Sequence, residues 1–60
     1  MTPPDADRDR AAQLYAEGRE FERRKEYHEA CERYEQSLDL HHDDEVKAAH
    51  MRMLATIGPL

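Results

Sequence analysis

The chain of 60 residues has little of what stabilises many small proteins, with one cysteine, two glycines, three prolines and no tryptophan. A single cysteine cannot form an internal disulfide, and the paired cysteines of a structural zinc site are missing. No apolar run approaches the roughly 20 residues that a membrane-spanning helix needs. Residues 1–9 are acidic and lack the basic and apolar segments of a signal peptide. We therefore expect a soluble, intracellular (cytoplasmic) protein with no membrane association.

Acidic residues outnumber basic residues by fourteen to nine, which gives a formal net charge of -5. This excess disfavours nucleic acid as a partner, because nucleic acid is itself negatively charged. Charged and apolar residues each make up 38% of the chain, a composition at which disorder has to be considered. The apolar residues nevertheless recur at helical spacing, and no segment alternates with a period of two. The pattern favours a folded all-α domain without strands.

The first apolar stripe predicts a helix from about residue 10. Residues 1–9 are either an N-terminal extension or an early helix start, since Thr2 can cap a helix and Pro3 suits its first turn. A glycine inside a helix costs about 0.5–1 kcal/mol relative to alanine, so Gly18 indicates a neighbouring ring or backbone that needs the space. The stripe consists of Ala11, Leu14, Tyr15, Gly18 and Phe21.

The stripe lapses around residues 23–26 and then resumes, which predicts a turn followed by a second helix. Because this turn has no glycine, proline or asparagine, one continuous helix is the open alternative. Asp43 or Asp44 can cap a third helix, which Gly58 and Pro59 end. We expect a helical hairpin at 10–42 and a third helix at 43–58. The second stripe consists of Tyr27, Ala30, Cys31, Tyr34 and Leu38.

Residues 14–37, with the sequence LYAEGREFERRKEYHEACERYEQS, resemble a tetratricopeptide repeat, a 34-residue helix-turn-helix unit. The resemblance implies a hairpin in which Gly18 and Ala30 let two helices approach closely, with the third helix packing as a C-terminal cap. A microtubule-interacting and trafficking domain, which is also a three-helix peptide-binding module, fits more loosely. The matching positions are Leu14, Gly18, Phe21, Tyr27, Ala30 and Tyr34, and the departures are Lys25 for a turn glycine, Ser37 for alanine and His42 for proline.

The resemblance implies a non-catalytic module for protein-protein interaction. Arg19 and Arg23 are one helical turn apart and can engage an acidic segment, although a solvated face paired with nearby glutamates is the alternative. Met51 offers a flexible apolar side chain suited to protein contacts. We expect a protein or peptide partner, and also self-association, because a single repeat buries little core. The expected binding residues are Tyr15, Arg19, Glu22, Arg23 and Met51.

A competing hypothesis is a metal- or redox-linked regulatory protein that uses His28, Cys31, His41 and His42. His28 and His41 would be more than three turns apart on one helix, about 20 Å, which is too far to share an ion. Cys31 is explained more simply as a small buried hydrophobe. A chain this short does not enclose both a core and a catalytic pocket. We therefore expect neither enzymatic activity nor a cofactor.

Overall fold

A computed structural model describes residues 4–58 as three helices. Helix α1 runs over Pro4–Arg23, α2 over Tyr27–Leu40 and α3 over Asp44–Ile57. No strand occurs in this part of the chain, so the all-α, three-helix prediction is confirmed. None of the helices between residues 4 and 58 has the length and apolar character needed to cross a bilayer. The sequence-based roles given to Thr2, Pro3 and Pro59 fall outside the described residues.

Helix α1 starts early in the chain. It begins at Pro4, where the missing N–H costs nothing because the first N–H groups of a helix have no intrahelical acceptor. Asp5 and Asp7 lie in its first turn, at the positive end of the helix dipole. The described part of the segment 1–9, from residue 4 onward, is therefore helical.

The turn between α1 and α2 is built around Lys25. The Glu26 N–H donates to the Phe21 carbonyl over 2.9 Å, and the Lys25 N–H donates to the Glu22 carbonyl over 3.0 Å. These two bonds form the Schellman motif, in which the residue after the helix cap takes a left-handed conformation. Lys25 is that residue, with φ of 64°. The helix thus ends without a glycine, and the alternative of one continuous helix is wrong.

Asp43 and Gly58 define the ends of α3. The Asp43 carboxylate accepts a hydrogen bond from the Glu45 backbone N–H over 2.9 Å, a cap that contributes roughly 0.5–2 kcal/mol. The Gly58 N–H donates to the Leu54 carbonyl over 3.2 Å. Its φ of 95° is one that side chains rarely adopt, which explains the glycine. Both ends coincide with the sequence prediction.

Helix α2 is the central element, and both α1 and α3 pack against it. Leu14 of α1 is buried, and Phe21 and Tyr27 are half-buried against the core. The residues expected to pack the hairpin therefore lie in or beside the core. The buried cluster itself consists of Ala30, Cys31, Tyr34, Val46, Ala49 and Met53.

Gly18 makes room for the ring of Tyr34. A Cβ at Gly18 would lie 2.5 Å from Cε1 and 2.7 Å from Cδ1 of that ring, well inside van der Waals contact. The sequence pattern pairs Gly18 with Ala30, but the three atoms nearest to this Cβ position all belong to Tyr34. Ala30 is fully buried in the core cluster. Helices α1 and α2 therefore approach each other by packing a glycine against an aromatic ring.

Ser37, in the last turns of α2, is bonded to the first half of α1. Its side chain is fully buried, and its hydroxyl donates to the Ala11 carbonyl over 2.7 Å. The tetratricopeptide pattern usually has alanine at this position. The hydroxyl is tolerated in the interior because its hydrogen bond is made.

Candidate functional site

A cleft runs between α1 and α3, because both helices pack on α2 more than on each other. We call it the α1–α3 cleft. It holds two concave volumes. The apolar end, of about 180 Å³, is lined by residues that include Ala11, Ala12, Tyr15 and Val46. The arginine end, of about 190 Å³, is lined by Arg19, Glu22, Arg23 and Arg52.

Glu22 is held by two side chains at the arginine end. The Tyr34 hydroxyl donates to Glu22 Oε1 over 2.8 Å. Arg52 Nη2 lies 2.9 Å from Oε1 and 3.0 Å from Oε2, so one guanidinium nitrogen contacts both oxygens. This network joins all three helices, since Glu22 is on α1, Tyr34 on α2 and Arg52 on α3.

The same network shifts the pKa values of Glu22, Tyr34 and Arg52. Burial alone would raise the pKa of Glu22, but the hydrogen bonds from Tyr34 and Arg52 outweigh burial and hold that pKa below its usual value. Burial, together with the hydrogen bond to Glu22, raises the pKa of Tyr34. The hydrogen bond to Glu22 also raises the pKa of Arg52. Glu22 therefore remains a carboxylate with its charge balanced inside the protein.

Arg19 and Arg23 have weaker internal partners. The Arg19 guanidinium carbon lies 5.9 Å from the centre of the Tyr15 ring, at cation–π distance. Arg23 Nη1 lies 3.5 Å from Glu20 Oε2, and the two side chains are 70% and 51% exposed. Such an exposed pair contributes little to stability. Three guanidinium groups and the Glu22 carboxylate line the arginine end, and Glu20 stands beside Arg23, so the local excess is one positive charge.

Tyr15 separates the two ends of the cleft. Its ring lies 5.5 Å from the Tyr34 ring, centre to centre, in a tilted arrangement. Its hydroxyl lies 3.4 Å from Glu45 Oε1, a long hydrogen bond across the cleft. Burial and the Glu45 charge raise the pKa of Tyr15. The rest of the apolar end combines small side chains with a polar rim that includes Arg8, His41, Asp43 and Glu45.

The structure brings four of the five expected binding residues together. Tyr15, Arg19, Glu22 and Arg23 all line the α1–α3 cleft. Glu22, however, is engaged by internal hydrogen bonds. Met51 lines neither end of the cleft. It is 59% exposed on the part of α3 that faces away from α2, because it is offset by a large helical rotation from the core positions Val46, Ala49 and Met53.

Arg52 is one of the cleft residues that the sequence reasoning did not place at a binding site, as are Arg8 and Glu45. Arg52 is thirty residues from Glu22 along the chain, and the pair forms only because both helices pack on α2. The helical period places Arg52 off the apolar face of α3, but no local spacing connects it to α1. The one sequence feature that could have indicated a role for Arg52 is its positive charge among the mostly apolar residues of the second half of α3.

The residues of the metal or redox hypothesis do not form one site in the described structure. Cys31 is buried, and burial together with the Glu35 charge raises its pKa, which disfavours the reactive thiolate. His28 and His41 are exposed, and His42 Nε2 lies 3.2 Å from Asp44 Oδ1. Within residues 4–58, no three His, Cys, Asp or Glu side chains come together in an arrangement that could hold a metal ion.

Comparison with protein family models, with curated proteins and with solved structures finds no significant match to this chain.

Proposed function

We propose that the chain is a non-catalytic protein-interaction module that binds a partner segment in the α1–α3 cleft, in the manner of a tetratricopeptide-like hairpin with a capping helix. The observation that carries the proposal is the excess of positive charge at the arginine end of the cleft. In a chain of net charge -5, a local cationic surface is a site at which electrostatic complementarity selects a partner.

The internal bonding of the cleft supports this proposal. Glu22 is paired directly with Arg52 and accepts a hydrogen bond from the uncharged Tyr34 hydroxyl, whereas Arg19 acts on it only through its charge. The Tyr15 ring is half-buried and lies between the two ends of the cleft, as aromatic side chains often do in protein interfaces. The cleft floor is therefore ordered before a partner arrives, which lowers the entropic cost of binding.

The proposal gives the module no chemistry of its own. The thiol of Cys31 is buried, and its pKa is raised by burial, so it is a packing residue in this account. A lone reduced cysteine also suits the cytoplasm, where thiols remain free, and the proposal assigns the module to that compartment. Its activity is binding alone.

A peptide-display selection followed by NMR mapping tests the proposal. Peptides enriched on the immobilised chain are expected to shift amide signals of α1 and α3 around Tyr15 and Arg19, and to lose most of their affinity for Tyr15→Ala. Gln13→Ala is the matched control, because Gln13 is exposed on the same helix and lines neither end of the cleft. If the enriched peptides instead shift signals elsewhere, or bind both variants equally, the proposed site is wrong.

A second candidate function is self-association through α3. Met51 is 59% exposed and Leu54 is 51% exposed, and residues three apart on a helix are neighbours. Two adjacent large apolar side chains facing solvent favour a second copy of the chain as occupant, since an isologous contact doubles the buried area of one small patch. This surface is separate from the α1–α3 cleft.

Sedimentation velocity over a range of concentrations tests self-association. The wild-type chain is expected to shift from monomer to dimer, and its melting temperature is expected to rise with concentration. Leu54→Glu should abolish both effects, whereas Ala48→Glu, an exposed change on the same helix, should preserve them. A monomer at every concentration would rule out this candidate.

A further inference from the structure

Met51 and Met53 are two residues apart on α3 but differ widely in exposure. Met51 is 59% exposed, whereas Met53 is 2% exposed and belongs to the core cluster. We propose that Met51 is an oxidation site, and that its conversion to the sulfoxide breaks the self-association of the chain through α3. The effect on self-association rests on the second candidate function given above, whereas the oxidation itself does not.

Helix geometry produces the difference between the two methionines. Successive residues are about 100° apart around a helix, so residues 51 and 53 lie on nearly opposite sides of α3. A small oxidant therefore reaches the sulfur of Met51, while the core shields that of Met53. Cys31 is the other sulfur-bearing residue between residues 4 and 58. It is buried, and its raised pKa keeps it a thiol instead of the more reactive thiolate. We therefore expect Met51 to react first.

The reaction with hydrogen peroxide requires only the thioether and the oxidant. A lone pair of Met51 Sδ attacks one peroxide oxygen, and the S–O bond forms as the O–O bond breaks. The departing hydroxide takes up the proton left on the transferred oxygen. Sulfur loses two electrons, peroxide is reduced to water, and the product is methionine sulfoxide. A flexible apolar side chain thus becomes a polar one that accepts hydrogen bonds.

The sulfoxide is poorly suited to the surface on which it forms. Met51 and Leu54 are the two exposed large apolar side chains of α3, and Leu54 has no donor for the sulfoxide oxygen. In an isologous contact the second copy presents the same two residues. Lys47, one turn before Met51, is exposed, and its ammonium would have to leave water to reach an oxygen inside the contact. Oxidation therefore leaves an unpaired acceptor when two copies meet, which opposes association.

The fold and the α1–α3 cleft are not part of this effect. Met51 does not belong to the buried cluster, and it lines neither end of the cleft. The helix is thus expected to keep its packing on α2 after oxidation. Because a second copy covers Met51, self-association should in turn protect this sulfur from the oxidant.

Peroxide treatment of the full chain followed by mass spectrometry tests the oxidation site. Trypsin cuts after Lys47 and Arg52, so Met51 and Met53 are recovered in separate peptides, 48–52 and 53–60. The peptide with Met51 is expected to gain one oxygen at least about tenfold faster than the peptide with Met53. Its oxidation should slow as the chain concentration rises through the range in which dimers form.

Sedimentation velocity of the oxidised chain tests the effect on self-association. The dimer dissociation constant is expected to rise by about tenfold or more on oxidation, and methionine sulfoxide reductases acting on both epimers should restore it. Met51→Leu is the matched control, because it keeps the apolar surface and should dimerise with or without peroxide. Met51→Gln, which is polar without oxidation, should be monomeric from the start. Circular dichroism of each sample verifies that the helices are retained.

The outcomes separate this proposal from the second candidate function. Equal oxidation rates of Met51 and Met53 would overturn the oxidation site. If the oxidised chain dimerises as before, or if peroxide also dissociates Met51→Leu, the regulatory effect is overturned. If the untreated chain is a monomer at every concentration, self-association and its regulation both fail. Dimerisation of the untreated chain that is insensitive to oxidation leaves the second candidate function standing and refutes only its regulation by Met51.

Discussion

The contact between Gly18 and Tyr34 makes a sharp prediction about stability. In an ordinary helical position, Gly18→Ala would stabilise the chain by about 0.5–1 kcal/mol. Here the added Cβ would lie 2.5 Å from Cε1 of the Tyr34 ring. We therefore expect the substitution to destabilise the fold.

The magnitude depends on how far the ring can move. The Tyr34 side chain is fully buried, and its hydroxyl is tied to Glu22 over 2.8 Å, so a shift that relieves the clash also strains this hydrogen bond. Overpacking of a core costs about 1–3 kcal/mol, which exceeds the gain in helix propensity. We expect a net loss of about 1–2 kcal/mol. For a domain of this size that corresponds to a fall in melting temperature of roughly 4–16 °C.

Thermal and urea unfolding followed by circular dichroism provide the measurement. Ala16→Gly at an exposed site of the same helix measures the propensity term alone and should cost about 0.5–1 kcal/mol. Tyr34→Phe releases the hydroxyl tether, and in that background Gly18→Ala should cost less, since the ring is freer to move. A Gly18→Ala variant that is more stable than the wild type would refute the packing described for α1 and α2.

Three further predictions concern single residues outside that contact. Lys25→Gly should stabilise the chain by about 1 kcal/mol, because Lys25 holds a φ of 64° that glycine adopts without strain. The neighbouring control Arg24→Gly should give no gain in stability, and an unchanged unfolding midpoint for Lys25→Gly would contradict the turn geometry. Ser37→Ala should cost about 0.5–1.5 kcal/mol in urea unfolding through loss of the bond to the Ala11 carbonyl, so a more stable variant would count against that bond. Because the pKa of Glu22 is lowered in the folded protein, its contribution to stability is present above the ordinary glutamate pKa near 4.5 and is lost as the pH falls through the folded-state pKa. Glu22→Gln should therefore flatten the fall in unfolding free energy below pH 4.5, and the same dependence of stability on pH in both proteins would refute the network.

Local patterns in the sequence were enough to predict the helices. The steps of three and four at Leu14, Gly18 and Phe21 arise from the 3.6-residue turn, which every helix shares. Asp43 and Gly58 mark the ends of α3 because capping and left-handed backbone depend on the residue itself and its nearest neighbours. The break at Lys25 was harder to place, since the turn lacks the glycine that usually signals it.

The α1 side of the proposed cleft could be predicted only in part. Tyr15, Arg19, Glu22 and Arg23 share one side of α1, and helical spacing alone places them together. The role of Glu22 could not be found in this way, because its partners Tyr34 and Arg52 come from two other helices. Met51 was expected beside them, but the rotation of α3 on α2 leaves it outside the cleft.

The sequence by itself determined three amphipathic helices, their order and the need for a small residue at Gly18. Only the tertiary structure decided that the Tyr34 ring fills that space, that Ser37 bonds to Ala11, and that Arg52 neutralises Glu22 across the cleft. The physical reason is the range of the interactions. Helix period and capping act over a few residues, whereas these contacts join residues far apart along the chain and exist only at the distances and rotations at which the helices pack.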